Sequence, residues 1–385
     1  MNSGRIYLDN AATTALRPEA AAAMLESHEE YNPSSLHAEG RRARAALDAA
    51  RQRIATALGA ARNEIVFTSS GTESDNLAIL GVARAAGAGA HVVSSATEHH
   101  AVLGALDRLQ EEGFEITVLP VGVDGRVDAG EFEAALRPNT VLASVAYANN
   151  ETGTVQPIAQ LSAIARRRGV AFHTDAVQAA RWLSLAPNEL GVDLLTLSAH
   201  KAGGPHGAGL LYVRSGVPLA PISYGGGQES GRRSGTHNLP GILGMAAAFD
   251  LAASERKRAA SGVAALRDRF EAAVCAEVPD VRVNGAGERL PNFLNLSFAG
   301  VESIALLIAL DLAGVAASAG SACTSGSPEP SHVLRAMGIE ERWQRSAIRF
   351  TLGTETSAAE IDRVAALVPS LVSGLRDPAA LRGDG

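Results

Sequence analysis

Between residues 17 and 215, short apolar runs alternate with segments of helical spacing, and this alternation restricts the possible folds more than any other feature. "EIVFTSS" leads into a helix expected over Glu73–Arg84. "AHVVSSATEHH" leads into "AVLGALDRLQEEG", where Val102, Leu103, Leu106 and Leu109 keep helical spacing and Gly113 supplies a stop. "TVLASVAYANNETG" precedes "PIAQLSAIARRRG", with Pro157 near the helix start and Gly169 at its end. "VAFHTDAVQ", "DLLTLSAHK" and "GAGLLYVRSG" follow. Strands separated by helices predict an α/β unit: a mainly parallel mixed sheet with helices on both faces.

The texture changes after residue 239. A long helical stretch, about 239–275, leads into "VRVNG", "NFLNLSF", a helix from Glu302, "SAIRFTLG" and a last helix from Ser357. This reads as a smaller α+β domain. The expected division is 15–255 for the large domain, with 1–14 and 256–385 forming the small one.

Composition excludes several classes. Charged residues are 19% and hydrophobic ones 46%, ordinary for a globular protein with a sizeable core. A net charge of −7 gives no reason to expect direct nucleic-acid binding. Two cysteines make no disulfide framework, and "MNSGRIYLDNAATT" lacks a signal pattern. The apolar run Ile304–Leu310 is far too short to span a bilayer. A soluble cytoplasmic protein, without a membrane, is the expectation.

Four groups carry chemistry. "SAHK" places Lys201 just beyond a strand and ahead of the glycine-rich "AGGPHGAG", where an amine can condense with an aldehyde. A solvated loop lysine is the plainer alternative. "HTDAVQ" ends a strand on Asp175, which suits either the ring nitrogen of such a cofactor or a helix N-cap. Gln178 lies three residues on, within reach of a ring hydroxyl. "TSSGTESDN" runs a strand into Gly71-Thr72 and a helix, a phosphate cradle or simply a capping box built on Thr72. "TEHHAVL" sets His99 past a strand, where an imidazole can stack on a ring and move protons, or serve structure alone. No HExxH or Cys/His spacing indicates a metal. Together the four supply the parts of a pyridoxal phosphate site.

The motifs that join them are "YLDNAATT", "NPSSLH", "GTESDN", "EHHAV", "NNETGTVQPI", "HTDAVQ", "SAHKAGGPHGAG", "RSGTHN", "GSACTSGSPEPSHVL" and "IRFTLG". In this order they resemble the class V aminotransferase superfamily of pyridoxal-phosphate enzymes, and within it the cysteine desulfurases of the NifS/IscS type. The resemblance implies an aspartate-aminotransferase-like fold and pyridoxal 5'-phosphate as cofactor. It implies that Lys201 holds the cofactor covalently, Asp175 pairs with the ring nitrogen, and Gln178 and Asn150 lie on the ring hydroxyl side. His99 would stack on the ring and transfer protons. Gly71, Thr72, Ser198 and His200 would bind the phosphate, joined by Thr236 from the second subunit of a homodimer. Asn32 and Arg349 would hold the carboxylate of L-cysteine.

Cys323 would take the sulfur and pass it to an acceptor protein. Iron–sulfur assembly, tRNA thiolation and DNA sulfur modification are all served by similar enzymes. Another enzyme of the same superfamily, an aminotransferase or selenocysteine lyase, is the alternative, and it is Cys323 that discriminates. Within the loop, about 320–331, residues from about Ala322 to Glu329 are expected to pack poorly, hinging at Gly320 and Gly326 and stiffened at the far end by Pro328 and Pro330. The Cys323 sulfur is expected to rest beyond ~8 Å from the cofactor and partly exposed, as reactive thiols require. Cys275, in "FEAAVCAEV", is expected to be inert helix packing. His206, Ser230 and Thr354 depart from the usual family residues, and the chain stops soon after its last helix; both features bear on partner contacts.

Overall fold

The computed structural model describes residues 4–27, 31–285, 287–319 and 330–377. Among them the strands run β1 Ile6–Tyr7, β2 Ile65–Thr68, β3 His91–Ser95, β4 Glu115–Leu119, β5 Thr140–Ser144 and β6 Ala171–Asp175. They continue with β7 Leu194–Ser198, β8 Gly209–Val213, β9 Val281–Asn284, β10 Phe293–Phe298, β11 Val315–Ala316 and β12 Ala347–Thr351. Seven form one sheet in the order β2-β8-β7-β6-β5-β3-β4. The pairs from β7 through β4 are parallel, and β8 is antiparallel to both β2 and β7.

Neighbouring residues on these strands enter different cores. Val93, Ala143, Leu195 and Leu210 join one cluster, whereas Val92, Leu142, Leu194 and Leu211 join another on the opposite face. Successive side chains alternate across a sheet, so a strand buried on both faces tends to be apolar throughout, as "GLLYV" is. In "LLTLS" the buried Thr196 and Ser198 alternate instead, on the face toward Gly71.

The expected helix after β2 runs Gly71–Ala86, with Ser70 as N-cap accepting from the Glu73 amide at 3.1 Å. Ser70, not Thr72, therefore caps it. The first helical residue is Gly71, so a cap two positions earlier than expected is what the backbone geometry requires.

A single helix, Leu239–Glu277, extends 39 residues, about 58 Å at 1.5 Å per residue. Its start packs Leu239, Ile242, Met245 and Phe249 into the sheet core. Its end packs Val263, Phe270 and Val274 into a separate core with Leu294, Phe298, Phe350, Ile361 and Val368. That second core covers the antiparallel sheet β12-β10-β9 and includes Leu8 and Ala11; β1 also pairs with β11. Cys275 does not pack: it is exposed. One residue past the buried Val274 is about 100° around the helix, which turns the thiol to solvent. Cys323, with Gly320, Gly326 and Pro328, lies outside the described residues, and so do the expectations for the conformation of that loop.

Candidate active site

Three strand ends bring the central groups together. Asp175 closes β6, and its carboxylate accepts from the Val177 amide at 2.9 Å. Burial raises its affinity for a proton, opposed by the nearby charges of His99 and Lys201. Lys201 ends a single helical turn directly after β7. Its ammonium donates to the carbonyls of Ala11 and, at 2.7 Å, Ala12. Burial, assisted by the Arg349 charge, lowers the Lys201 pKa to about 8. His99 caps the helix His100–Glu111, its Nδ1 accepting from the Ala101 amide at 3.1 Å. Burial lowers its proton affinity, and with Nδ1 accepting, the neutral form of the ring carries its proton on Nε2.

The segment Asp9–Thr14 forms a floor that ties these groups to the second core. Gln178 donates to the same Ala11 carbonyl as Lys201, at 3.0 Å. Thr14 bonds the His200 carbonyl through both its amide (3.0 Å) and its hydroxyl (2.8 Å). Arg349, from β12 and only 4% exposed, pairs with Asp9 at 2.8 Å and donates to the Asn150 backbone carbonyl at 2.7 Å. Among the described residues its buried Nε has no partner. Asp9 is the residue that sequence reasoning passed over. It stands inside a quoted motif, "YLDNAATT", and as that motif's only charged residue was the natural partner for a buried arginine.

On the other side, Gly71 opens its helix against β7. A Cβ at Gly71 would meet Val177 Cγ2 at 2.9 Å and Ser198 Cβ at 3.6 Å, so the position excludes a side chain. The exposed Thr72 follows it. His200 bonds Thr13 Oγ1 at 3.2 Å and stacks on His206 with ring centroids 5.2 Å apart. Burial, with the Lys201 charge adding to it, holds the His200 ring neutral, its pKa near 4.

Two expected residues stand apart from this cluster within the single chain. Asn32 is exposed and accepts from the Ser34 amide of its own turn at 2.9 Å. Thr236 is exposed on the segment between Glu229 and Asn238. That segment is fastened at Glu229, whose carboxylate takes Arg51 (2.6 and 2.8 Å), His237 (2.6 Å) and the Phe67 amide (2.9 Å). Against burial, which raises it, the His237 and Arg51 bonds pull the Glu229 pKa to about 2. Glu229→Gln is expected to cost about 3–5 kcal/mol, because it leaves Arg51 buried without its charge partner. The urea midpoint at pH 7 measures this. The native advantage should fade as pH falls below about 4 toward the folded-state value, since a depressed carboxylate loses its stabilisation on protonation.

Residues 6–364 match the class-V aminotransferase family. The cysteine desulfurase IscS of Dictyoglomus turgidum is 47% identical, over 96% of this chain and 95% of that one. A solved NifS-like protein superposes with a TM-score of 0.90 at 34% identity, covering 96% of this chain and 100% of that chain. SspA, solved in complex with cysteine, gives 0.81 at 34% identity over 91% and 100%. The chain belongs to the class-V aminotransferase family and, within it, to the cysteine desulfurases of the NifS/IscS type, enzymes dependent on pyridoxal phosphate.

Proposed function

We propose that this chain moves the sulfur of free L-cysteine onto Cys323, releasing alanine, and passes the persulfide to an acceptor protein. The observation that carries this is the meeting of Lys201, Asp175 and His99 at three strand ends, with Arg349 reaching them from the second core. The relative SspA, solved with cysteine, supports the substrate.

The donor set fits pyridoxal phosphate. An amine of lowered pKa suits its aldehyde, and a buried carboxylate to which no cation is hydrogen-bonded among the described residues suits its ring N–H. A helix start where Gly71 leaves room, flanked by Thr72, Ser198 and a neutral His200, suits its phosphate. When bound, the cofactor supplies the electron sink for proton loss at the substrate Cα.

Lys201 holds the cofactor and moves the Cα proton, and Asp175 keeps the ring nitrogen protonated. With the cofactor bound, Gln178 and Asn150 would hold its ring hydroxyl, and His99 would stack on the ring and relay protons. Asp9 orients Arg349, which with Asn32 takes the substrate carboxylate. The Cys323 thiolate attacks the substrate sulfur. The Cβ–S bond breaks, an S–S bond forms, and Cβ gains a proton to become the methyl group of alanine. Thiol plus cysteine thus gives persulfide plus alanine with no outside oxidant.

In this reading residues 15–255 hold the cofactor, while the remainder holds Arg349 and Cys323. Thr236 completes the phosphate site of a second subunit in a homodimer, and the enzyme works in the cytoplasm. Among the described residues no helix is long and apolar enough to cross a membrane.

A single-turnover reaction of the holoenzyme with cysteine tests this. One alanine and one persulfide per subunit are expected; a keto acid in place of alanine overturns the assignment.

A further inference from the structure

Behind Asp175 lies a second carboxyl that the chemistry above does not use. Asp75 is buried on the helix Gly71–Ala86, one turn beyond Gly71 and therefore on the same face. Gly71 abuts Val177, Thr196 and Ser198, so this face lies on the ends of β6 and β7. Thr196 pairs in register with Asp175, and its hydroxyl meets the Asp75 carboxyl. The same hydroxyl lies 3.0 Å from Nε2 of His173, which shares a strand face with Asp175. His173 Nδ1 is 2.8 Å from the Ser144 hydroxyl, and Asp75 Oδ1 lies 3.7 Å from His173 Nε2, with no hydrogen-bond partner among the described residues.

Two buried carboxylates facing each other cannot both ionise unless a cation lies between them. His173 is not that cation: burial drops its pKa to about 3. Glu98, the third acid facing the pair, is held by Ser95 and the Ala146 amide and is itself pushed up by burial to about 8. Asp175 has the Lys201 ammonium before it, whereas among the described residues no cation faces Asp75. The single negative charge therefore belongs on Asp175.

We propose that Asp75 is a positioning residue that stands as a neutral acid behind Asp175, so that the pair's one negative charge faces the cofactor's ring nitrogen. This rests on the assignment of Asp175 as the ring partner. Burial and the Asp175 charge hold the Asp75 carboxyl well above the ordinary range. A second charge there would bind the ring proton more tightly and change the electronic balance of the site.

The test uses holoenzymes of the native chain, Asp75→Asn, Asp75→Leu and Asp175→Asn. Infrared difference spectra at pH 7 should show one protonated-carboxyl band in the native enzyme that Asp75→Asn removes, apart from that of Glu98. The pH midpoint of the cofactor's visible band should stay within about 0.3 units in Asp75→Asn, because the amide replaces a neutral acid. Asp75→Leu leaves Thr196 short of a partner, and cofactor retention should weaken about tenfold. A native spectrum lacking that band, or a midpoint shift of about one unit in Asp75→Asn, the mark of a lost charge, overturns the proposal. So does native-like retention in Asp75→Leu. Should Asp175→Asn keep the native band and retention, the ring-partner reading fails, whatever the infrared result for Asp75.

Discussion

Replacing Lys201 by Ala is expected to abolish covalent cofactor attachment and to lower alanine formation by at least ~10⁴-fold, the upper end of what one acid–base group contributes. Both functions reside in one amine. Its pKa of about 8, lowered by burial, leaves about a tenth of it neutral at pH 7, hundreds of times more than an unperturbed lysine would offer. The neutral fraction falls roughly tenfold per pH unit below 8, so covalent loading of the native apoenzyme should slow in the same proportion. Borohydride reduction followed by mass measurement reads attachment directly. The native chain should retain the cofactor's mass and Lys201→Ala should not. A substantial residual alanine rate in Lys201→Ala would place the proton transfer elsewhere.

What could be read from the sequence follows from the range of the interactions. The βα alternation was legible because burying a strand on both faces leaves a mostly apolar run, as in β8. Strand-end residues such as Asp175 and Lys201 were legible for the same reason, since ligands collect there in α/β sheets. Contacts between distant segments left little local mark. Arg349 and Asp9 meet across 340 residues, and only the lone charge of Asp9 within its motif hinted at the pair. Asp75 drew no reading of its own because its character depends on Thr196 and Asp175 closing over it. Cys275 failed in the opposite direction. An apolar neighbourhood suggested packing, but a rotation of one residue decides which side of a helix faces water. Ser70 replaced Thr72 as the cap because the helix starts earlier than its apolar pattern.

Cys323→Ser is expected to separate the two halves of the reaction. Cofactor content, and the spectral change on adding cysteine, should match the native enzyme, since Lys201, Asp175 and His99 are untouched. Persulfide should be absent, and alanine formation should fall by roughly 10³-fold or more, as when an enzyme loses its nucleophile. The flanks of the cysteine segment explain why this thiol can reach the substrate. On one side the Ser318 backbone pairs with that of Arg349, through amide–carbonyl bonds of 2.6 and 3.1 Å. On the other, Ser331 donates to the buried Glu151 at 2.5 Å, and His332 bonds the Glu98 carbonyl at 3.0 Å beside His99. Both ends are thus fastened to walls of the candidate site. Cys323 lies five residues beyond Ser318, a tether of at most about 18 Å at full extension. Cys275→Ser should change neither persulfide nor alanine, because its thiol lies on the outer face of the long helix. Alkylation and mass mapping of persulfide after one turnover distinguish the two thiols. Sulfur recovered on Cys275, or undiminished alanine release from Cys323→Ser, would show that Cys323 is not the sulfur acceptor.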